Sequence, residues 1–218
     1  MKRLFVVIFL AGCVTLPARV APPRECNYCG AMTQAEPCSV CGIENERTTR
    51  TTPSVAEYNA AMDIARGKAK EAPGTFIPVE RGKGPGWVQA WRKLNRLQTT
   101  RIYVVGKEVV DSEAYAIEFA SHNASEYLGA MILKVAREAS PSLSQEETIY
   151  LSGGQDISNF TRTLMAYEAE RNRSRWAYES YVLYVCPADS AEKEFRRLGC
   201  ANPAECVERL RVELDAKK

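Results

Sequence analysis

The stretch from Arg101 to Ala139 constrains the fold more than any other part of the chain. Arg101-Ile102-Tyr103-Val104-Val105 is rich in β-branched and aromatic residues, and Gly106 reads as its stop. Asp111 and Ser112 then offer an N-cap for a helix that can run to Ser140-Pro141. At about 100° per residue, one arc of that helix collects Ala116, Ile117, Ala120, Ala124, Tyr127, Leu128, Met131 and Val135. The opposite arc collects Glu118, Ser121, His122, Ser125, Glu126 and Arg137. Alanine dominates the start of the apolar arc, so the helix can lie close on a sheet. The fold class predicted is α+β, a long helix packed on a small antiparallel sheet. With 45% hydrophobic and 26% charged residues, the chain can build one domain with a real core plus smaller appendages. A net charge of +2 gives no argument for nucleic acid as a partner.

The N-terminus predicts the compartment. Met1-Lys2-Arg3 is a positive segment, Leu4 to Leu10 is a short apolar run, and Leu10-Ala11-Gly12-Cys13 matches the bacterial lipobox. The apolar run is too short to span a bilayer. The expectation is a signal peptide over 1–12, cleavage before Cys13, and lipid attachment at its sulfur and its new amine. Three acyl chains, at roughly 0.8 kcal/mol per buried methylene, hold a protein to a membrane essentially irreversibly. Val14 follows the Cys in place of Asp, which by analogy with lipoprotein sorting favours the outer membrane over the inner one, facing the periplasm. Residues 13–25 contain Pro17, Pro22 and Pro23 and read as a lipid-anchored tether.

Cys26-Asn27-Tyr28-Cys29-Gly30 and Cys38-Ser39-Val40-Cys41-Gly42 form a C-x2-C-x8-C-x2-C block with Gly after each pair. Two residues between cysteines let both sulfurs of a knuckle point at one ion, and the glycine permits the tight turn that follows. Four sulfurs in a tetrahedron suit Zn²⁺, and the block resembles a short bacterial zinc ribbon over 26–42. Haem attachment needs His after the second Cys, where Gly30 and Gly42 stand. Disulfides, favoured outside the cytoplasm, are the rival reading, and a redox role is the third. With Cys26, Cys29, Cys38 and Cys41 all ligating, no coordination position remains for water, so the zinc is expected to be structural.

Residues 43–54 read as a linker. Val55, Tyr58, Met62, Ala65, Ala69 and Ala72 form a helical stripe with Ser54 as N-cap and Pro73-Gly74 as stop. Phe76 to Val79 reads as an edge segment, because Pro78 cannot donate to a ladder. Trp87, Trp91, Leu94 and Leu97 make a short helical stripe, with the two tryptophans as core lid or as partner contacts. Phe160 to Glu170 and Trp176 to Cys186 read as an antiparallel hairpin. Arg171, Arg173 and Arg175 sit at its tip as a solvated turn or a partner contact. Ser190 to Leu198 reads as a helix. Asn202-Pro203-Ala204-Glu205 starts another, with N-cap, N1 proline and capping-box Glu in place. Cys200 and Cys206 could pair as a disulfide, or either could pair with Cys186.

The order Pro85-Gly86-Trp87-Val88, Ile102 to Gly106, a helix with Ala116, Ala120 and Ala124, then Tyr178 to Tyr184 resembles the bacterial LPP lipoproteins (the twenty-kilodalton membrane-associated lipoproteins). Flagellar-assembly lipoproteins are among that family's relatives. The resemblance covers roughly 85–187 within a domain spanning 55–218. It implies a helix on a small antiparallel sheet, in an envelope protein without known chemistry. The sequence carries no Gly-x-Ser-x-Gly elbow, no His-Glu-x-x-His and no dinucleotide fingerprint, and its one histidine, His122, falls on the polar arc of the long helix. The expected function is therefore non-enzymatic: an outer-membrane lipoprotein acting in envelope structure or assembly through an envelope protein partner. The alternative is a metal- or redox-responsive binding module built on the tetracysteine block.

Overall fold

The computed structural model describes residues 24–26, 28, 32–34, 38, 41, 54–79, 84–143 and 147–216. The expected signal peptide, Cys13, Cys29 and most of the expected 43–54 linker lie outside the described residues. In chain order the elements are β1 (Arg24–Glu25), β2 (Met32–Thr33), α1 (Val55–Glu71), β3 (Ile77–Pro78), α2 (Gly86–Leu97), β4 (Arg101–Val110), α3 (Glu113–Ala139), β5 (Gln155–Glu168), β6 (Arg173–Pro187), α4 (Ala188–Arg197) and α5 (Pro203–Ala216). Among them β3, β5, β6 and β4, in that spatial order, make one antiparallel sheet, and β1 pairs with β2 as a separate two-residue ribbon. The chain is α+β, as its pattern predicts. None of the described helices is long and apolar enough to cross a membrane.

Strand β4 does not stop at Gly106; it pairs with β6 from Arg101↔Pro187 to Val110↔Tyr178. The glycine marks the crossing of α3 over the strand. A Cβ on Gly106 would lie 1.8 Å from the Ala120 carbonyl oxygen and 2.7 Å from the Ala124 nitrogen. Ala116, Ala120 and Ala124 are fully buried there, and Leu128, Ile132, Val135 and Ala136 continue the contact. Small residues on both partners let two backbones approach, and each further side chain on that stripe adds apolar burial at about 25 cal/mol per Å². Ser112 occupies the N-cap position of α3 without a side-chain cap bond. Ser54, by contrast, caps α1 in full: its Oγ accepts from Glu57 N–H, and Glu57 Oε2 accepts from Ser54 N–H at 2.8 Å. The predicted α1 stripe is buried only in its second half. Ala65 and Ala69 pack with Val79 and Met165, while Val55 at the helix start is 78% exposed.

Strand β4 lies at a sheet edge, which would ordinarily offer backbone groups to another strand. Side chains from neighbouring helices, and one from the strand itself, occupy that edge instead. Asn95 on α2 donates from Nδ2 to Tyr103 O at 2.7 Å and accepts from Tyr103 N–H at 2.8 Å. Asn123 on α3 donates to Lys107 O at 3.1 Å, and Glu108 Oε1 accepts from Val109 N–H at 2.9 Å. Arg211 on α5 is buried and donates to Arg101 O, Asn95 O and Thr99 O, tying the last helix to the α2–β4 turn. The hairpin of β5 and β6 is longer than predicted and turns at Asn172, whose φ of 47° is the left-handed conformation that Asn tolerates. Glu179 lies almost buried on β6 between Lys107, at 2.6 Å, and Arg162. Burial alone would raise its pKa, but the bonds from Lys107 and Arg162 outweigh that and hold it below the usual 4.5.

Candidate metal centre

The β1–β2 ribbon is two residues long on each side, with Arg24 opposite Thr33 and Glu25 opposite Met32. Cys26 follows β1 directly. Its Sγ, with those of Cys38 and Cys41, belongs to a buried group in which all three sulfurs lie within 4.8 Å of one another. The Cys26 and Cys41 sulfurs are 3.7 Å apart. A disulfide would require about 2.05 Å. A tetrahedral zinc with Zn–S bonds of about 2.3 Å has sulfur–sulfur edges of about 3.8 Å. The separation is that of two unbonded thiols in contact and matches the edge that two ligands on one ion would span. The described thiols therefore fit a soft divalent cation by donor type, burial and spacing.

The block does not stand apart from the rest of the chain. Cys26, Tyr28, Cys38 and Cys41 belong to the same buried cluster as Trp87, Leu94, Tyr103 and Leu183. Tyr103 provides the explicit link. Side chains alternate along a strand, so Tyr103 is out of step with Gly106 and turns away from α3. Its hydroxyl, fully buried, donates to the backbone carbonyl of Tyr28 at 2.5 Å. A buried phenol is expected to find such a partner.

The other cysteines differ in setting. Cys186 donates weakly to Pro187 O at 3.4 Å, and burial pushes its thiol up to about 12. Cys200 is pushed up to about 11, by burial first and then by the neighbouring Cys206 thiol. Cys200 and Cys206 lie beside each other, both as free thiols in this structure. Burial holds Cys186 and Cys200 in the protonated form, which is neither nucleophile nor metal ligand.

Trp87 and Trp91 are buried, as the core-lid reading expects, and this removes them from the candidate partner contacts. The indoles fill the space under α2 because 3.6-residue periodicity puts positions 87, 91 and 94 on one inward face. Arg171, Arg173 and Arg175 are exposed at the hairpin tip. Glu168 pairs with Arg173 at 2.8 Å and with Arg171 at 3.9 Å, and Arg175 lies over the Phe76 ring. His122 is exposed and meets Glu126 at 3.0 Å. Sequence reasoning missed a stacked aromatic pair on the outer face of α3, Tyr115 and Phe119, with ring centroids 5.9 Å apart and exposures of 57% and 44%. Their i, i+4 spacing off the alanine stripe was the available signal. It also missed a groove of about 580 Å³ farther along the same helix, lined by Gly129, Leu133, Ile149, Leu151 and Tyr184.

No protein-family model matches this chain, and no curated protein or solved structure matches it.

Proposed function

We infer that this chain is a non-enzymatic outer-membrane lipoprotein, an envelope structural or assembly factor that works through contacts with another envelope protein. Cys13 carries the lipid, and Cys26, Cys29, Cys38 and Cys41 hold one structural Zn²⁺. Support for the anchor is the order of charge, apolar run and Leu-Ala-Gly-Cys at the N-terminus. Support for zinc is the cluster of Cys26, Cys38 and Cys41, with Cys29 supplying the fourth thiol by sequence. The observation that carries the docking reading is the exposed, stacked Tyr115–Phe119 pair on a rigid 27-residue helix. Two large rings held in water on a fixed scaffold are a usual feature of protein contact surfaces. A permanent anchor adds to this by raising the effective concentration of the domain for other membrane-bound proteins.

Photo-crosslinking in intact cells tests this. A photoreactive residue at Phe119, or at Arg173 on the hairpin tip, should trap one defined envelope protein. The same label at the exposed Val212 on α5 serves as a control for random collision. Equal, diffuse crosslinking from all three positions would refute the docking reading.

The alternative, a metal- or redox-responsive binding module, is favoured by one specific observation. The thiols are not a remote appendage but lie against the main core. Metal content measured on protein purified from membranes, before and after a thiol oxidant, separates a passive structural ion from a responsive one.

A further inference from the structure

We propose that the partner seated on the outer face of α3 is a second copy of this chain, packed antiparallel so that the aromatic pair of each copy enters the groove of the other. This rests on the docking reading of Tyr115 and Phe119, and it needs neither the anchor nor the metal.

The outer face of α3 is a seam. Tyr115, Phe119, His122, Glu126, Gly129 and Leu133 recur at alternating steps of four and three. At 100° per residue all six fall within an arc of about 80°. That arc lies opposite the buried stripe of Ala116, Ala120 and Ala124. A seven-residue repeat of this kind is the spacing at which one helix packs along another.

The seam is also complementary to itself. Residues equidistant from position 124 meet across a two-fold axis placed at that level of the helix. Tyr115 then faces Leu133 of the second copy, Phe119 faces Gly129, and His122 faces Glu126. Each pairing joins unlike groups. One end of the seam carries the two exposed rings, and the other opens on the groove of about 580 Å³ between α3 and Ile149 to Leu151. At the centre an imidazole N–H donates to a carboxylate, which it does whether the ring is neutral or charged. Within one copy that imidazole and carboxylate already lie 3.0 Å apart, so two copies bring two donors and two acceptors together. A parallel pairing would set Phe119 on Phe119 and Glu126 against Glu126, and would leave both grooves unfilled.

Gly129 gives the groove its depth. A glycine inside a helix is destabilising relative to alanine. A Cβ added at Gly129 would lie 3.6 Å from Ile149, an ordinary contact, so the fold of one chain does not require glycine there. The position it occupies is the one that faces Phe119 across the axis. From Tyr115 to Leu133 the seam is about 27 Å long and about 10 Å wide. With the groove walls added, that footprint is at the low end for specific interfaces, so association is reversible and depends on concentration.

The test is sedimentation of the full chain, purified in detergent, from about 1 to about 100 μM. The parent should pass from monomer to dimer over this range. Phe119→Ala and Gly129→Leu should each weaken the dimer at least about tenfold, with helical circular dichroism retained. His122→Glu and Glu126→Lys change exposed positions and test the centre of the seam. Each variant alone should associate more weakly than the parent. An equimolar mixture of the two should recover association, because both pairs across the axis then join opposite charges or a donor and an acceptor. A photoreactive residue at Phe119 should crosslink to residues 129–133 or 149–151 of a second chain. A parent that stays monomeric throughout overturns the self-pairing, as does a dimer indifferent to all four substitutions or a mixture no tighter than its components. If the Phe119 label instead traps one defined foreign protein in cells, self-pairing falls and the docking reading stands. Diffuse crosslinking equal to that from Val212, with a monomeric parent, overturns both.

Discussion

Replacing Asn95 by Ala tests how the exposed edge of the sheet is closed. Asn95 is 3% exposed, and its side chain makes both hydrogen bonds to Tyr103, at 2.7 and 2.8 Å. Truncation leaves a buried N–H and a buried C=O without partners, each costing about 1–3 kcal/mol. Water entering the space left by the amide would bring the sum toward the lower end. We expect a loss of about 3 kcal/mol in urea unfolding with an unchanged slope, since the surface exposed on unfolding hardly changes. For a chain of this size that corresponds to a fall of about 6–12 °C in Tm. The internal comparison is Asn123→Ala, which removes the bonds from Nδ2 to Lys107 O and to Glu108 Oε2, where the groups can turn to water. That variant should cost below about 1 kcal/mol. Metal content must be held equal in all three proteins, because a ligand bound only to the native state shifts apparent stability. Equal losses for the two asparagines, or a loss below about 1 kcal/mol at Asn95, would refute the claim that burial makes this edge bond matter.

Gly106→Ala should be far more costly than its chemistry suggests, about 3 kcal/mol or more by thermal or urea unfolding, because the added methyl meets the α3 backbone and cannot turn aside. Gly67→Ala, in α1 with open space around it, should instead stabilise by about 0.5–1 kcal/mol. Glu179 has a lowered pKa in the folded state, so its contribution is fully present above its unfolded value of about 4.5 and is lost as pH falls through the folded value. Unfolding measured from pH 6 down to about 3 should show a steeper fall for the parent than for Glu179→Gln. Cys13→Ser should move the protein from the detergent phase to the soluble fraction, and a variant that stays membrane-bound to the same degree would remove the lipid anchor from the reading.

Much of the scaffold was legible because it follows simple periodicities. The alanine stripe of α3, the run of β6 that is apolar on both faces and the Asn202-Pro203-Ala204-Glu205 start of α5 each use a local rule, and each element forms. Gly106 shows where local rules fail. A glycine in a strand reads as a break from sequence alone, whereas here its lack of a side chain admits a helix that arrives later in the chain. The α1 stripe failed differently. Its periodicity is genuine, but the short β3–β5 corner covers only the end bearing Ala65 and Ala69. At the candidate metal centre, spacing alone pointed to the cysteines. It could not show that Tyr28 would find a phenol 75 residues away, because that contact depends on tertiary placement.

Strand β4 joins these separate observations. Its α3-facing side is closed by the Gly106 crossing, and its outer edge by Asn95, Asn123, Glu108 and Arg211. Its remaining side meets the cysteine block through Tyr103. A strand whose edge is occupied in this way is poorly suited to take a partner by strand addition, a mode that needs unpaired backbone groups. Contacts with another protein are then better made through side chains, and the exposed Tyr115 and Phe119 sit on the helix that β4 holds in place. The same strand thus fixes the helix carrying the proposed contact and receives the segment leading to the proposed anchor.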